Sequence, residues 1–414
     1  MLKLRRLLAR RFRQLAPNTE LVFGDHYNVL LGQNGAGKTS LLNLIVALVR
    51  GDLRPFEQED FDLEWEFVDD LGSVRVEARN MVVVELGVPE GEPREKTADW
   101  SYQVAFTNAL GEVRAYSCSA NGEPTAPQDI KARLRRFPLF EPGLLTRSMA
   151  YLVENGTFRH ALANSRTNLE RHDEALGTFG NLFEADALVK GRRAELQLAR
   201  SQHGLFALDG AFFPAPILSH LYADGKPVDW QPEFPSADWT MLAEWCQAVG
   251  CQRLILIPRL RSTTQAGEVA LSHYDGFDLR VTFHDGRTVT APLLSFGQKR
   301  LLSFLYYVAC NEHIVVADEL VNGLHWAWIT TCLDAIGERQ AFLTSQNPLL
   351  LDALPISSEA EVAQTFIRCR LEVKEGRGTW VWQNLAEEDA RDLWQAYEVG
   401  LQGIGELLRS RGLW

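Results

Sequence analysis

Gly32-Gln33-Asn34-Gly35-Ala36-Gly37-Lys38-Thr39 stands between an apolar run, Tyr27 to Leu31, and a Leu/Ile/Val-rich segment from Lys38 to about Val49. The first reads as a strand and the second as a helix. A glycine-rich turn between strand and helix lets successive backbone N–H groups point into one concave loop at a helix N-terminus, which is an anion cradle. Asn34, Gly35, Ala36, Gly37, Lys38, Thr39 and Ser40 are therefore candidate phosphate-binding residues. Lys38 reaches the outer phosphates as a point charge. The Thr39 hydroxyl is a ligand for Mg²⁺.

Ile314-Val315-Val316-Ala317-Asp318-Glu319 is an apolar strand that ends in two carboxylates. Beside a phosphate loop, Asp318 is expected to hold the Mg²⁺ shell. Glu319 is expected to orient and deprotonate an attacking water. The cofactors expected on this reading are ATP and Mg²⁺.

A third piece lies about twenty residues before those acids: Leu294-Ser295-Phe296-Gly297-Gln298-Lys299-Arg300. Ser-x-Gly-Gln at the opening of a helix forms a second anion site. The segment resembles the ABC signature, and with it the chain resembles ABC-type ATPases. That resemblance implies an ATP-sandwich dimer, or a higher homo-oligomer, in which Ser295, Gly297 and Gln298 of one subunit meet nucleotide held by Lys38 of the other.

Leu320-Val321-Asn322-Gly323-Leu324-His325 follows Glu319. It is similar to the OLD-like branch of soluble ABC ATPases, which includes ATPase subunits of bacterial anti-phage systems of the PARIS, Septu and Gabija kind. Arg11-Phe12-Arg13 is similar to the opening of this branch and of RecF- and SMC-type ATPases, which implies that Arg13 touches nucleotide. The branch usually carries a Thr-Thr-His-Ser-Pro segment. Here Thr344-Ser345-Gln346-Asn347-Pro348 stands instead, with Gln346 at the position of the catalytic His. An amide donates a hydrogen bond but has no proton to trade, so slow hydrolysis is expected. His325 is an alternative donor, or a histidine of an interface or core. Gln103 and Gln128 are weak candidates for the glutamine that such ATPases place near the metal. The likeness is strongest over 1–49 and 279–354.

The expected fold is α/β: an ABC-type P-loop NTPase fold with an N-terminal antiparallel β subdomain and a helical insertion. Residues 1–128 form the first ATPase lobe, 129–250 the mainly helical insertion, and 251–414 the second lobe. Phe61 to Tyr116 alternates with period two, as antiparallel strands do, with a loop over 88–96. Residues 130–202 read as helical, with Arg192 to Arg200 the clearest stretch. Leu254 to Pro258 reads as a buried strand. Leu279 to Ala291 reads as a hairpin around Asp285-Gly286. Glu387 to Arg409 reads as one amphipathic helix bearing Leu393, Tyr397, Leu401, Ile404 and Leu408, which either pack on their own domain or dock a partner.

The 414 residues are 46% hydrophobic and carry a net charge of −12, which argues against a uniformly basic nucleic-acid-binding surface. Lys3, Arg5, Arg6, Arg10, Arg11 and Arg13 form a local basic run, read as a solvated strand face or as a contact to phosphate. Six scattered cysteines include no CxxC pair, as expected of buried thiols in a reducing cytosol. No apolar stretch approaches the roughly 18 residues of a membrane span, so a cytoplasmic protein without a membrane partner is expected.

The stretch after Pro348 is short for a TOPRIM nuclease domain. The OLD-like resemblance then implies a sensor or scaffold that controls a separately encoded effector, such as a nuclease, in anti-phage defence. The alternative is a DNA-repair or DNA-remodelling ATPase of RecF/SMC type, with DNA as a partner reached through Arg5, Arg6 and Arg10. A transporter subunit is disfavoured, because the segment after Glu319 differs from the one transporters carry.

Overall fold

A computed structural model describes residues 1–83, 97–126, 136–141, 144–152, 168–172, 195–201, 204–211, 213–221, 229–267, 269–345, 347–398 and 404–410. The chain opens with β1 (Lys3–Phe12), β2 (Thr19–Val22), β3 (Tyr27–Leu31) and α1 (Lys38–Arg50). Next come β4 (Phe61–Asp69), β5 (Gly72–Val83), β6 (Thr97–Asn108), β7 (Val113–Ser119) and α2 (Leu144–Leu152). They are followed by β8 (Glu195–Ser201), β9 (Gly204–Ala211), α3 (Ala215–Leu221), β10 (Phe234–Pro235), α4 (Thr240–Val249), β11 (Arg253–Ala266), β12 (Val269–Thr282), β13 (Thr288–Thr290) and α5 (Phe296–Cys310). The last elements are β14 (Ile314–Ala317), α6 (Trp326–Ile336), β15 (Gln340–Thr344), α7 (Pro348–Ala353), α8 (Glu359–Thr365), β16 (Phe366–Lys374), β17 (Arg377–Asn384), α9 (Glu387–Glu398) and α10 (Ile404–Ser410).

These elements form two compact units. The first comprises 1–169, 313–316 and 338–414. Its larger sheet runs β2-β1-β4-β5-β6-β7, antiparallel throughout. Alternation explains it: Phe61, Leu63, Trp65 and Phe67 on β4, with Val74, Val76 and Ala78 on β5, are all buried. Burying each large apolar side chain contributes about 1.5–3 kcal/mol. A second sheet runs β14-β15-β3-β16-β17. In it β3 pairs in parallel with β15 on one side and β16 on the other. The strand leading to the phosphate loop therefore lies inside the sheet, and four of its five residues, Asn28 to Leu31, are buried.

The second unit comprises 170–312 and 317–337. Its sheet runs β10-β11-β12-β8-β9, with β13 also on β12. The expected hairpin is present. Phe283 N donates to Arg287 O at 2.9 Å, and Gly286 takes the left-handed conformation (φ 82) that the turn requires. The segment read as helical from Arg192 to Arg200 is corrected: β8 occupies Glu195 to Ser201 and pairs with β9 and β12. Its letters fit both periods, but Leu196 and Leu198 are both fully buried, the alternation of a strand, and two neighbouring strands satisfy its backbone. Leu254 to Pro258 lies within β11 as expected.

The C-terminal tail is helical over α9 and α10, and 399–403 lie outside the described residues. Leu393 and Leu408 are buried in their own chain, while the side chains of Tyr397, Leu401 and Ile404 lie outside the described residues, as does the loop at 88–96. All six cysteines are free and buried. Among the described residues no helix is long and apolar enough to cross a membrane.

Candidate nucleotide site

The sequence-predicted residues fall into two sets, each within one unit. In the first unit, β3 ends at Leu31 and the loop turns through Gly32 (φ 142), Gly35 (φ 85) and Gly37 (φ 84) into α1. Gly32 is required here, because a Cβ at this position would lie 2.0 Å from the Cys369 carbonyl oxygen. Lys38 is 9% exposed, and its Nζ donates to the Gly32 carbonyl at 2.6 Å and the Gln33 carbonyl at 3.2 Å. Its charge is felt by Cys369: burial pushes that thiol up to about 12, and Lys38 opposes the rise. Asn34, Gly35 and Thr39 are exposed, Ala36 is buried, and Ser40 is half-buried on the first turn of α1.

Two residues that sequence reasoning did not single out sit against this loop. The Trp380 indole Nε1–H donates to the Gly35 carbonyl at 3.0 Å, and the Trp382 indole Nε1–H donates to the Ala36 carbonyl at 3.1 Å. Their only signal in the sequence is Trp-Val-Trp at period two.

Arg13 lies in the same unit with a left-handed backbone (φ 47). Glu59 grips it with two hydrogen bonds of 2.7 Å, and its guanidinium lies over the Phe12 and Phe56 rings. A nucleotide contact would require Arg13 to exchange that partner. Three more cations of the basic run meet carboxylates: Arg6 meets Glu20 and Glu64, Arg10 meets Asp62 and Glu64, and Arg11 meets Asp60, while Arg5 is exposed. Lys3 donates to the carbonyls of Asp25 and Glu338. A phosphate contact by Arg6 or Arg10 would therefore require exchange of these carboxylate partners.

In the second unit, Ser295 is the N-cap of α5 and forms a capping box with Gln298. Ser295 Oγ accepts from Gln298 N at 3.3 Å, and Gln298 Oε1 accepts from Ser295 N at 3.0 Å. This reciprocal pair satisfies two helix-end donors and sets the direction in which α5 opens. Gly297 is demanded by close approach, since a Cβ there would lie 2.7 Å from the Trp328 ring and 3.1 Å from the Gly323 carbonyl. His325 is exposed, and its ring lies against that of Trp328 with centroids 4.1 Å apart and planes tilted by 31°.

Asp318 and Glu319 follow β14 directly. Asp318 N donates to the His172 carbonyl at 2.8 Å, and its carboxylate lies 3.3 Å from the Arg171 guanidinium. Glu319 has a left-handed backbone (φ 54), a conformation that costs a non-glycine residue about 1–2 kcal/mol. The buried Arg300 offsets this strain by donating to the carbonyls of Glu319 and Leu320. Arg171 and Arg300 are further residues that sequence reasoning missed. Arg300 had a signal, a cation at the edge of the apolar run Leu301 to Cys310. The hydroxyl of Thr39 and the carboxylate of Asp318 are hard oxygen donors, the chemistry that suits Mg²⁺. Gln346 and Gln128 lie outside the described residues. Gln103 sits on β6, paired with Glu77 and Ser117 of the antiparallel sheet.

A family model described as an AAA domain matches residues 6–123. A DNA replication and repair protein RecF from Myxococcus xanthus is 26% identical over 353 residues, which cover 80% of this chain and 84% of that protein. Among solved structures, the SMC head domain from Thermotoga maritima is 12% identical, covering 93% of this chain and 99% of that one with a TM-score of 0.34. The recombination mediator protein RecF-ATPrS of the RecFOR pathway is 13% identical, covering 93% and 98% with a TM-score of 0.33. The strand order and the loop between β3 and α1 give the fold: it is α/β, an ABC-type P-loop NTPase fold with antiparallel sheets beside the parallel-flanked β3.

Proposed function

We propose that the chain binds and hydrolyses ATP as an ATPase of RecF/SMC type, with Mg²⁺, and that ATP brings two copies together. The observation that carries this reading is the phosphate loop at the carboxyl end of β3, a strand flanked by parallel neighbours. Ligands of open α/β sheets bind outside that edge. The sequence relation to a RecF protein, which spans most of both chains, agrees with it.

In this reading Asn34 to Ser40 cradle the phosphates, and Thr39 and Asp318 supply oxygen ligands to the metal. Glu319 takes a proton from the attacking water. Ser295, Gly297 and Gln298 meet the nucleotide of a second copy. Gln346 and Arg13 contribute hydrogen bonds to it. DNA is the partner that the RecF relation favours. The alternative, a defence sensor that controls a separately encoded nuclease, rests on the Asn322 to His325 segment and on the short stretch after Pro348, and the RecF relative favours the repair-type reading.

The experiment is a sizing measurement by light scattering on Glu319→Gln with ATP and Mg²⁺, then with ADP, followed by addition of duplex DNA. A dimer with ATP that reverts to monomer with ADP, and retains DNA less well as salt rises, is the expected result. One mass in both nucleotides, with no DNA retained at any salt, would sink the proposal.

A further inference from the structure

We infer that Trp380 and Trp382 are positioning residues for phosphate binding, holding the loop with its N–H groups aimed at the nucleotide. The inference rests on the ATP-binding reading above. A phosphate cradle needs consecutive peptide N–H groups turned inward. In a trans peptide the C=O and the following N–H point in opposite directions, so an inward N–H requires an outward carbonyl. The carbonyls of Gly35 and Ala36 belong to the peptides whose N–H groups are those of Ala36 and Gly37. Both carbonyls accept an indole N–H, from Trp380 at 3.0 Å and from Trp382 at 3.1 Å. An indole nitrogen donates and never accepts, so it holds carbonyls and not amides on its side of the loop.

The platform is rigid for identifiable reasons. Trp380 and Trp382 are two apart on β17, so they share one face of the strand. Their rings stack with centroids 5.8 Å apart and planes 16° from parallel. β17 pairs with β16, and β16 pairs with β3, whose end is the loop itself. Loop and platform thus hang from one sheet. The Trp380 backbone is tied as well: its N–H donates to the Gln14 carbonyl and its carbonyl accepts from Ala16, both at 2.8 Å. A Cβ on residue 37 would lie 2.8 Å from the Trp380 ring, so the ring lies flush against the turn into α1. Within the loop, Ala36 N–H also makes a long 3.3 Å bond to the Gln33 carbonyl. Hydrogen bonds on a carbonyl polarise the amide of the same peptide, so both indoles strengthen the donors that phosphate meets.

The test is equilibrium binding of a fluorescent ATP analogue with Mg²⁺ to the full chain: wild type, Trp380→Phe and Trp382→Phe. Unfolding midpoints without nucleotide are measured alongside. Each Phe variant keeps a ring and loses the N–H, so Kd is expected to rise about fivefold per lost hydrogen bond. If a Phe variant also loses its unfolding midpoint, benzothienylalanine at the same position, with sulfur replacing N–H at equal shape, gives the deciding Kd. A raised Kd there supports the inference. Wild-type affinity in these variants overturns it while leaving the ATPase reading intact. A wild-type chain that binds no analogue overturns the ATPase reading, and the inference falls with it.

Discussion

Arg171 places its guanidinium 3.3 Å from the carboxylate of Asp318, while the next residue, His172, accepts the Asp318 backbone N–H at 2.8 Å. Both groups of the ion pair are largely shielded, at 18% and 14% side-chain exposure. The carboxylate assigned to the metal is therefore already engaged by a cation of its own unit. Arg171→Gln removes that competitor. The Mg²⁺ concentration at half-saturation of ATP binding is expected to fall about fivefold, the equivalent of about 1 kcal/mol for a partly exposed pair. An unchanged or raised Mg²⁺ requirement would show that Arg171 does not compete for Asp318.

Arg300 is 1% exposed and is held by the carbonyls of Glu319 and Leu320. Arg300→Met keeps the volume and removes both donors. Leaving buried carbonyls unsatisfied costs about 1–3 kcal/mol each. The urea midpoint is expected to fall by an amount equivalent to about 3 kcal/mol, and Arg300→Lys is expected to recover part of the loss. Equal midpoints for wild type and Arg300→Met would mean that these bonds contribute nothing net.

Glu64 is buried on the polar face of the antiparallel sheet, where Arg6, Arg10 (2.5 Å) and Arg75 (2.9 Å) converge on it. Burial alone would raise its pKa, but hydrogen bonds from Arg6 and Arg10 and the charge of Arg75 outweigh burial and hold it below the usual glutamate value. A depressed folded pKa stabilises above the unfolded value, roughly 4.3, and the stabilisation is lost as pH falls through the folded value. Glu64→Gln is expected to cost about 2 kcal/mol at neutral pH, a figure reduced because the arginines are partly exposed. Denaturant midpoints of the two proteins should converge as pH falls below about 4. A gap that stays constant with pH would remove the charge from the explanation.

Gly32 and Gly35 share a motif but not a constraint. A methyl at Gly32 meets the Cys369 carbonyl at 2.0 Å, whereas one at Gly35 meets nothing within 4 Å and faces only its positive φ. Gly32→Ala is expected to unfold or displace the β3–β16 pairing. Gly35→Ala should cost about 1 kcal/mol. Thermal unfolding separates the two cases, and equal midpoints would contradict this assignment of the constraint.

The local structure at Gly32 to Thr39, at the end of β14 and at the opening of α5 was legible because each couples a residue pattern to a change of secondary structure. Leu31 to Lys38 is strand, turn and helix within eight residues. The hairpin at Asp285-Gly286 was legible for the same reason. Arg192 to Arg200 was not, since its letters suit a helix and only pairing with β9 and β12 selects a strand. Trp380 and Trp382 were invisible because they reach the loop from more than 340 positions away in sequence. The carboxylates that pair with the basic run, Glu20 on β2 and Glu59 to Glu64 on β4 and its approach, were not legible as its partners because strand pairing alone brings them there.

In the proposed function, Glu319 is the base for ATP hydrolysis and Lys38 is the phosphate-binding cation. The direct measurement is inorganic phosphate release from ATP and Mg²⁺ by wild type, Lys38→Ala and Glu319→Gln, with ATP binding recorded in parallel. Mg²⁺-dependent release by wild type is expected, with a fall of about a hundredfold or more in both variants. Glu319→Gln should still bind ATP and Lys38→Ala should not. Equal release from all three proteins, or a wild type that neither binds nor hydrolyses ATP, would contradict that function.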